Sequence, residues 1–526
     1  MAGTSRSWIG SAFANPIVLS AIAVTLIVGY YVRAWYKLRM FKGPWLASFS
    51  EAWLFGATSS GDVHMKLYDV CQKYGDFARV GPNWLMTSDP EVIRYMSAAK
   101  YKHQKSNWYQ ALKVDPYVHS VLSETNLEKH DKLRAKMQAG YSLKENKDLG
   151  PKIDSQILSL VDLIERKYVS TTAEVKPIDF ARTAQYYSLD AITSIAFGKA
   201  FGYLTEDKDM HGFIKIVETE LPLATFCANT PTLGQIVFGS GLLNVLWPTS
   251  AKDQTGRGKL MGIAKEVVSE RIGSNKIEKA DMLGSFLRNG LDQRHAESEI
   301  LTTIVAGSDT VATAIRATML HIMSTPRVYN TMVTEIEEAT SKGQISSPIT
   351  SAESKTLPYV QAVIKEGLRI HPPITGLLPK IVNPGGETIK GRFVPGGTHI
   401  GQCAWAVQRH PIFGKDVDVF RPERWTEATE EHREEMTRTM ELMFGSGRLG
   451  CLGKAIVLAE LDKVFVEMLR RFDFALMYPA APWRSTNFTM FLQDKMWVRI
   501  TKRETSPRSE KVAVGGSLEN GGIESY

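Results

Sequence analysis

The sequence predicts a mainly α fold with small peripheral β-sheets, preceded by one N-terminal transmembrane helix. Apolar residues recur at three- and four-residue spacing over 155–168, 181–196, 259–272, 298–323 and 357–370, the period of a helix with one buried face. Strand signals are short and confined to 76–87 and 381–401. Residues Ala12 to Val32 carry no charge.

Taken in chain order, 1–11 is a short segment on the lumenal side. Residues 12–32 are long enough as a helix to cross a hydrocarbon core of roughly 30 Å, and Asn15, Ser20 and Thr25 are its only polar interruptions. Arg33, Lys37, Arg39 and Lys42 follow it, against Arg6 alone before it, so the positive-inside rule leaves the rest of the chain in the cytosol. A cleaved secretory signal is the competing reading, but no small-residue cleavage pattern follows the run. Residues 33–45 read as a basic, proline-stiffened linker ending in Lys42-Gly43-Pro44-Trp45.

A domain over 46–502 comes next. It opens on a hairpin in which Asp76–Val80 and Trp84–Thr87 flank Gly81-Pro82-Asn83. Helices dominate until 357–370, which His371-Pro372-Pro373 stops, and 381–401 then supplies short strands rich in glycine and β-branched residues. Residues 503–526 are polar, rich in Ser, Gly and Glu, and read as a disordered tail.

With 526 residues, 44% of them apolar, the chain can bury a large core. Its four cysteines, Cys71, Cys227, Cys403 and Cys451, are far apart in sequence, without a CxxC or a Cys/His cluster at zinc spacing, which argues against a disulfide framework and a structural zinc site. The formal charge of +7 is mild and lacks an arginine-rich or aromatic-interleaved basic run, so nucleic acid is not an expected partner. A membrane surface or an acidic protein suits it better.

Three constellations carry chemistry. Phe444-Gly445-Ser446-Gly447-Arg448-Leu449-Gly450-Cys451-Leu452-Gly453 presents one cysteine on a glycine-rich loop running into a long apolar helix. The helix N-terminus favours a thiolate, Gly447, Gly450 and Gly453 let backbone pass close to a flat macrocycle, and Phe444 shields the sulfur. A glycine-rich turn with a structural free cysteine is the other reading. Within 298–323, Ala306-Gly307-Ser308-Asp309-Thr310-Val311 places two weak helix formers together, so a loosened turn is expected beside an acid and an alcohol suited to passing protons. A harmless kink would look the same. Glu366 and Arg369 share one helix face, and Phe420-Arg421-Pro422-Glu423-Arg424-Trp425 brings a second arginine, so a carboxylate held between two guanidiniums is expected.

In order and spacing, Ala306-Gly307-Ser308-Asp309-Thr310, Glu366-x-x-Arg369, Pro422-Glu423-Arg424-Trp425 and Phe444…Cys451-x-Gly453 resemble the cytochrome P450 superfamily, over nearly the whole chain. Lys365-Glu366-Gly367-Leu368-Arg369, Val394-Pro395-Gly396-Gly397-Thr398 and Cys451-Leu452-Gly453-Lys454 are most similar to its fungal pisatin demethylase-like branch, rich in secondary-metabolite enzymes. The resemblance implies the cytochrome P450 fold, with Cys451 as axial ligand to haem iron and Asp309 and Thr310 as the proton-delivery pair. Glu366, Arg369 and Arg424 become a structural triad, Phe444, Gly453 and Gly307 belong to the haem site, and His130 and Arg134 match the helix that donates to haem propionates. The family's usual arginine two residues before the cysteine is Leu449 here. Arg448 is the expected replacement, with His130, Arg134 and Lys380 sharing the neutralisation.

What the resemblance implies is a membrane-bound haem-thiolate monooxygenase of the endoplasmic reticulum, single-pass, with its catalytic domain cytosolic. It would use haem b and O2 to hydroxylate, demethylate or oxidise in several steps a lipophilic small molecule. No flavin or nicotinamide domain fits in this length, so electrons would come from NADPH through a separate NADPH–cytochrome P450 reductase, with cytochrome b5 as a second candidate donor. Lys129, Lys132 and Lys136, on the helix of His130 and Arg134, would steer that acidic partner, an ordinary solvated face being the alternative. Trp108, Tyr117, Ile304, Val311, Ile374, Leu377 and Phe488 are the expected substrate-pocket residues. An O2-independent haem-thiolate isomerase or dehydratase and a non-catalytic haem-binding or electron-transfer protein remain as alternatives.

Overall fold

The structure is a computed structural model that describes residues 16–142, 145–146, 148–235, 248–273 and 277–504. The predicted lumenal segment, the first residues of the predicted span and the tail beyond 504 lie outside the described residues.

Helix α1 (Pro16–Lys37) runs five residues past the expected Val32, because Arg33 and Lys37 continue it rather than break it. It exposes Ile17, Val24, Leu26 and Ile27 to at least half their area and buries only Ala34, so it is held by no core of its own. It is long and apolar enough to cross a membrane. The stretch after it is no free linker. A Cβ on Gly43 would lie 2.1 Å from the Arg79 carbonyl oxygen, and the Arg79 backbone N–H donates to the Lys42 carbonyl at 2.8 Å. The buried Arg79 side chain also donates to the carbonyls of Gly81, Pro82 and Trp35, the last on α1.

Helix α2 (Val63–Tyr74) leads to the hairpin β1 (Phe77–Gly81) and β2 (Trp84–Thr87), whose turn is two residues, since Gly81 joins the strand through an irregular register. β3 (Gln104–Lys105) follows. Then come α3 (Leu127–Met137), capped by the Asn126 side chain accepting from the Lys129 N–H, α4 (Leu149–Lys167), and α5 (Phe180–Phe197), stopped by Gly198 at φ +74°. Helices α6 (Phe213–Asn229) and α7 (Gly256–Ser269) precede α8 (Gln293–Ser324), which is 32 residues and so about 48 Å long. α9 (Pro358–Ile370) ends before Pro372 as expected. β4 (Lys380–Ile381) and β5 (His399–Gln402) complete a five-stranded mixed sheet in the order β1-β2-β5-β4-β3. α10 (Lys454–Leu469) packs into the core formed with α4, α5, α8 and α9.

The loosened turn expected at Gly307-Ser308 is not there. α8 is helical without interruption, and Gly307 serves packing instead, since a Cβ at that position would sit 2.7 Å from Ile192 Cγ1 on α5. Arg503, assigned to the tail, is anchored by its guanidinium to Asp473 and to the Tyr329 hydroxyl.

Candidate active site

The loop before α10 is shaped by its own backbone. The Cys451 N–H donates to the Phe444 carbonyl at 2.7 Å and the Gly450 N–H to Gly447 at 3.1 Å, while Gly445 and Gly447 adopt φ of +75° and +59°. A side chain at 447 would also strike the Ser97 carbonyl oxygen at 2.5 Å, so that glycine is required by the backbone packed against it. Cys451 is the one exposed cysteine, and it faces a cavity of about 410 Å³. Burial within the fold pushes its thiol up, while the backbone N–H groups of Gly453 and Lys454 and the charge of Arg134 favour the thiolate. Such a sulfur ionises readily only when a cation binds it, which is the donor chemistry of a haem-iron site.

Across the cavity stands α8, presenting Ala306, Gly307, Thr310 and Val311. The Thr310 hydroxyl donates to the Ala306 carbonyl at 2.7 Å, so its lone pairs are left for the cavity. α3 adds His130 and Arg134, and the Arg134 guanidinium donates to the Gly450 carbonyl at 2.7 Å, placing a cation beside the cysteine loop. Val217, Leu221 and Leu260 from α6 and α7 make an apolar roof. A thiol, an alcohol, two flanking cations and a largely apolar lining around one cavity fit an iron porphyrin with two propionates.

Among the expected residues, Cys451, Phe444, Gly453, Gly307, Thr310, His130, Arg134, Val311 and Ile374 line this cavity. Lys380 and seven others do not, and each of the seven has a local reason. Asp309 lies one residue, about 100°, round the helix from Thr310 and faces α5, where Gln185 donates to its Oδ1. Burial pushes its carboxyl up to about 6, against the pull of Arg316 and Gln185, and among the described residues its Oδ2 has no hydrogen-bond partner. Arg448 turns to Asp131 at 3.6 Å and to the Ala99 carbonyl at 3.4 Å, leaving Leu449 on the cavity wall. Trp108 is buried with its Nε1 donating to Asn229 at 2.8 Å, whereas Tyr117 is about half exposed and donates to the Thr249 carbonyl at 2.9 Å. Ile304 points into the core, Leu377 packs under Gly401 while Leu378 takes the wall, and Phe488 lies against Phe226 while Thr489 and Met490 face inward.

The triad closes as expected and is larger than expected. Arg369 donates to both Glu366 oxygens at 2.9 and 2.8 Å, Arg424 Nε to both at 3.0 and 3.1 Å, the Arg421 N–H to Oε1 at 2.9 Å and Trp425 Nε1 to Oε2 at 3.0 Å. Burial alone would raise the Glu366 carboxyl, yet these donors hold it below its ordinary value. Wall residues that the sequence did not announce include Lys105, Tyr141, Glu299 and Thr303, with the Tyr141 hydroxyl 3.0 Å from Thr303 Oγ1. None carries a local pattern.

Comparison with known proteins follows the same lines. A sequence model of the cytochrome P450 family matches residues 44–498. The chain is 44% identical over 492 residues to cytochrome P450 monooxygenase ABA1 of Pyricularia oryzae, covering 92% of this chain and 96% of that one. It is 40% identical to cytochrome P450 monooxygenase aba1 of Botryotinia fuckeliana, covering 89% and 92%, and 34% identical to cytochrome P450 monooxygenase abl1 of Leptosphaeria maculans, covering 87% and 81%. Among solved structures, the haem domain of cytochrome P450DA superposes with a TM-score of 0.68 at 16% identity, over 84% of this chain and 93% of that one, a likeness of fold.

Proposed function

The chain belongs to the cytochrome P450 family and is a haem- and O2-dependent monooxygenase, and we propose that it is anchored by α1 in the endoplasmic reticulum membrane with its catalytic domain cytosolic. There it oxidises a lipophilic small molecule of fungal secondary metabolism, with electrons delivered from NADPH by a separate reductase. One observation carries this reading: Cys451 and Thr310 line one and the same largely apolar cavity.

When bound, the haem supplies activation of O2, so that one oxygen atom enters the substrate and the other leaves as water. Cys451 would hold the iron as thiolate, with its charge stabilised by the N–H groups of Gly453 and Lys454 at the start of α10. Thr310, whose own proton is committed to the Ala306 carbonyl, accepts a hydrogen bond from a water at Oγ1 and so orients that water's other proton toward the cavity. Asp309 backs it as a buried acid that exchanges protons on the α5 side of the helix. The roof over Val217, Leu221 and Leu260 excludes water and selects apolar ligands.

Turnover of purified enzyme should need both O2 and the NADPH-fed reductase. Product formation without either would move the assignment to an isomerase or dehydratase. Metabolite profiling of a deletion strain identifies the substrate.

A further inference from the structure

Several polar side chains on the cavity wall are already engaged within the protein. On α8 the Thr302 hydroxyl donates to the Ser298 carbonyl at 3.0 Å, and Thr303 is paired with the Tyr141 hydroxyl. Glu220 holds Arg257 at 2.7 Å, and Lys105 donates to the carbonyls of Val121 and Leu122. Glu299 of α8, on the same wall and fully buried, is only half engaged. Its Oε1 accepts from the Val121 N–H at 2.5 Å, whereas its buried Oε2 has no hydrogen-bond partner among the described residues. Glu460 Oε2 shares that condition, but it stands on α10, the helix of the Cys451 loop, whereas Glu299 shares α8 with Thr310. Eleven residues separate Glu299 from Thr310, about three turns, so both lie on one face of α8 with about 16 Å of helix axis between them.

Burial pushes the Glu299 carboxyl up to about 8, against the pull of the Val121 N–H and of Lys105. At neutral pH the group is therefore mainly a neutral acid. With Oε1 accepting from Val121, the proton sits on Oε2, which makes it a hydroxyl donor for which the described residues supply no acceptor. Leaving a buried donor unpaired is unfavourable, so a ligand that brings an acceptor gains more here than one that brings only carbon. A cationic ligand is opposed by Lys105 and Arg134 on the same wall.

We propose that Glu299 sets the substrate class: its Oε2 hydroxyl donates to a carbonyl or hydroxyl oxygen of an otherwise apolar molecule and holds it along the α8 face that also carries Thr310. The substrate is then an oxygenated lipophile, neither a plain hydrocarbon nor an amine. This deepens the monooxygenase reading above and rests on it. The test is calorimetric titration of the full-length holoenzyme in detergent with two probes of equal chain length, 2-dodecanone and dodecane. Glu299→Gln keeps an acceptor for the Val121 N–H and a donor for the ketone, so both affinities should stay within about threefold of wild type. Glu299→Leu has no donor, so affinity for 2-dodecanone should fall about tenfold, the worth of one hydrogen bond, while affinity for dodecane holds. Equal loss of both probes in Glu299→Leu would mean that Glu299 only pins the loop at Val121, and unchanged affinity for both would mean that it meets no ligand; either result overturns the proposal. A second measurement needs no variant. The infrared carbonyl stretch of 2-dodecanone bound to wild type should lie below its value in dodecane solution, and an unshifted stretch would also overturn the proposal. Absence of the thiolate-type carbon monoxide spectrum in the wild-type protein would instead overturn the haem-thiolate reading itself.

Discussion

The knot around Glu366 and the cavity beneath α8 are both built from buried polar groups, but they differ in what is left over. In the knot, two guanidiniums, one indole and one backbone N–H converge on a single carboxylate, and the remaining guanidinium donors end on carbonyls such as those of Gln408, Val417 and Val419. In the cavity, polar atoms stay available: the Cys451 sulfur is open, Thr310 keeps its lone pairs, and Lys105, among the described residues, donates only to backbone carbonyls. Complete satisfaction marks a part that holds shape, and incomplete satisfaction marks a part awaiting a ligand.

The strongest break of that contrast is Cys451→Ala. It should abolish the red-shifted Soret band of the reduced carbon monoxide complex and all turnover, while replacement of Cys71, Cys227 or Cys403 leaves the band. Retention of the band in Cys451→Ala would refute the ligand assignment. Next comes Glu366→Leu, which strands two buried arginines and should cost about 3–5 kcal/mol in denaturant unfolding, enough to abolish haem loading. A loss below about 1 kcal/mol would mean the knot relaxes in a way its geometry does not suggest.

Thr310→Ala should do the opposite, sparing stability to within about 1 kcal/mol but diverting reducing equivalents to hydrogen peroxide, so that product per NADPH falls several-fold. Unchanged coupling would remove Thr310 from proton delivery. Asp309→Asn sharpens the boundary between the regions. The folded Asp309 carboxyl is raised from 3.8 to about 6, so ionising it disfavours folding: the penalty is absent below pH 4, grows between pH 4 and 6, and is full above. The melting temperature of Asp309→Asn relative to wild type should therefore climb over that window and then level. The smallest effect is expected at Lys129, Lys132 and Lys136, where Lys132 already pairs with Glu128 at 2.7 Å in solvent. Charge reversal there should slow reductase-supported turnover at low ionic strength only, leaving peroxide-driven turnover intact.

Much of this molecule is legible in the sequence where period or order carries the signal. The long helices emerge with ends displaced by a few residues, since a cap such as Asp292 extends α8 beyond its apolar stripe. The Glu366 partners were foreseen because both motifs are dense in arginine and proline, though the Trp425 indole bond was not. Pocket residues fared worse. Leu377 and Leu378, or Phe488 and Thr489, are adjacent in sequence, and only tertiary packing decides which of each pair turns inward. Gly307 was expected to weaken α8, yet the advantage of a close α5 contact exceeds the small propensity cost of glycine, about 1 kcal/mol. Lys105 was invisible because a two-residue strand has no period at all.

Arg79 ties the carbonyl of Trp35, near the end of α1, to the hairpin of the catalytic domain. The span and the domain are therefore not a tether and a float but a mast stepped into a hull. With α1 in a bilayer as proposed, a change in its tilt should be passed to the domain through Arg79, the joint between them.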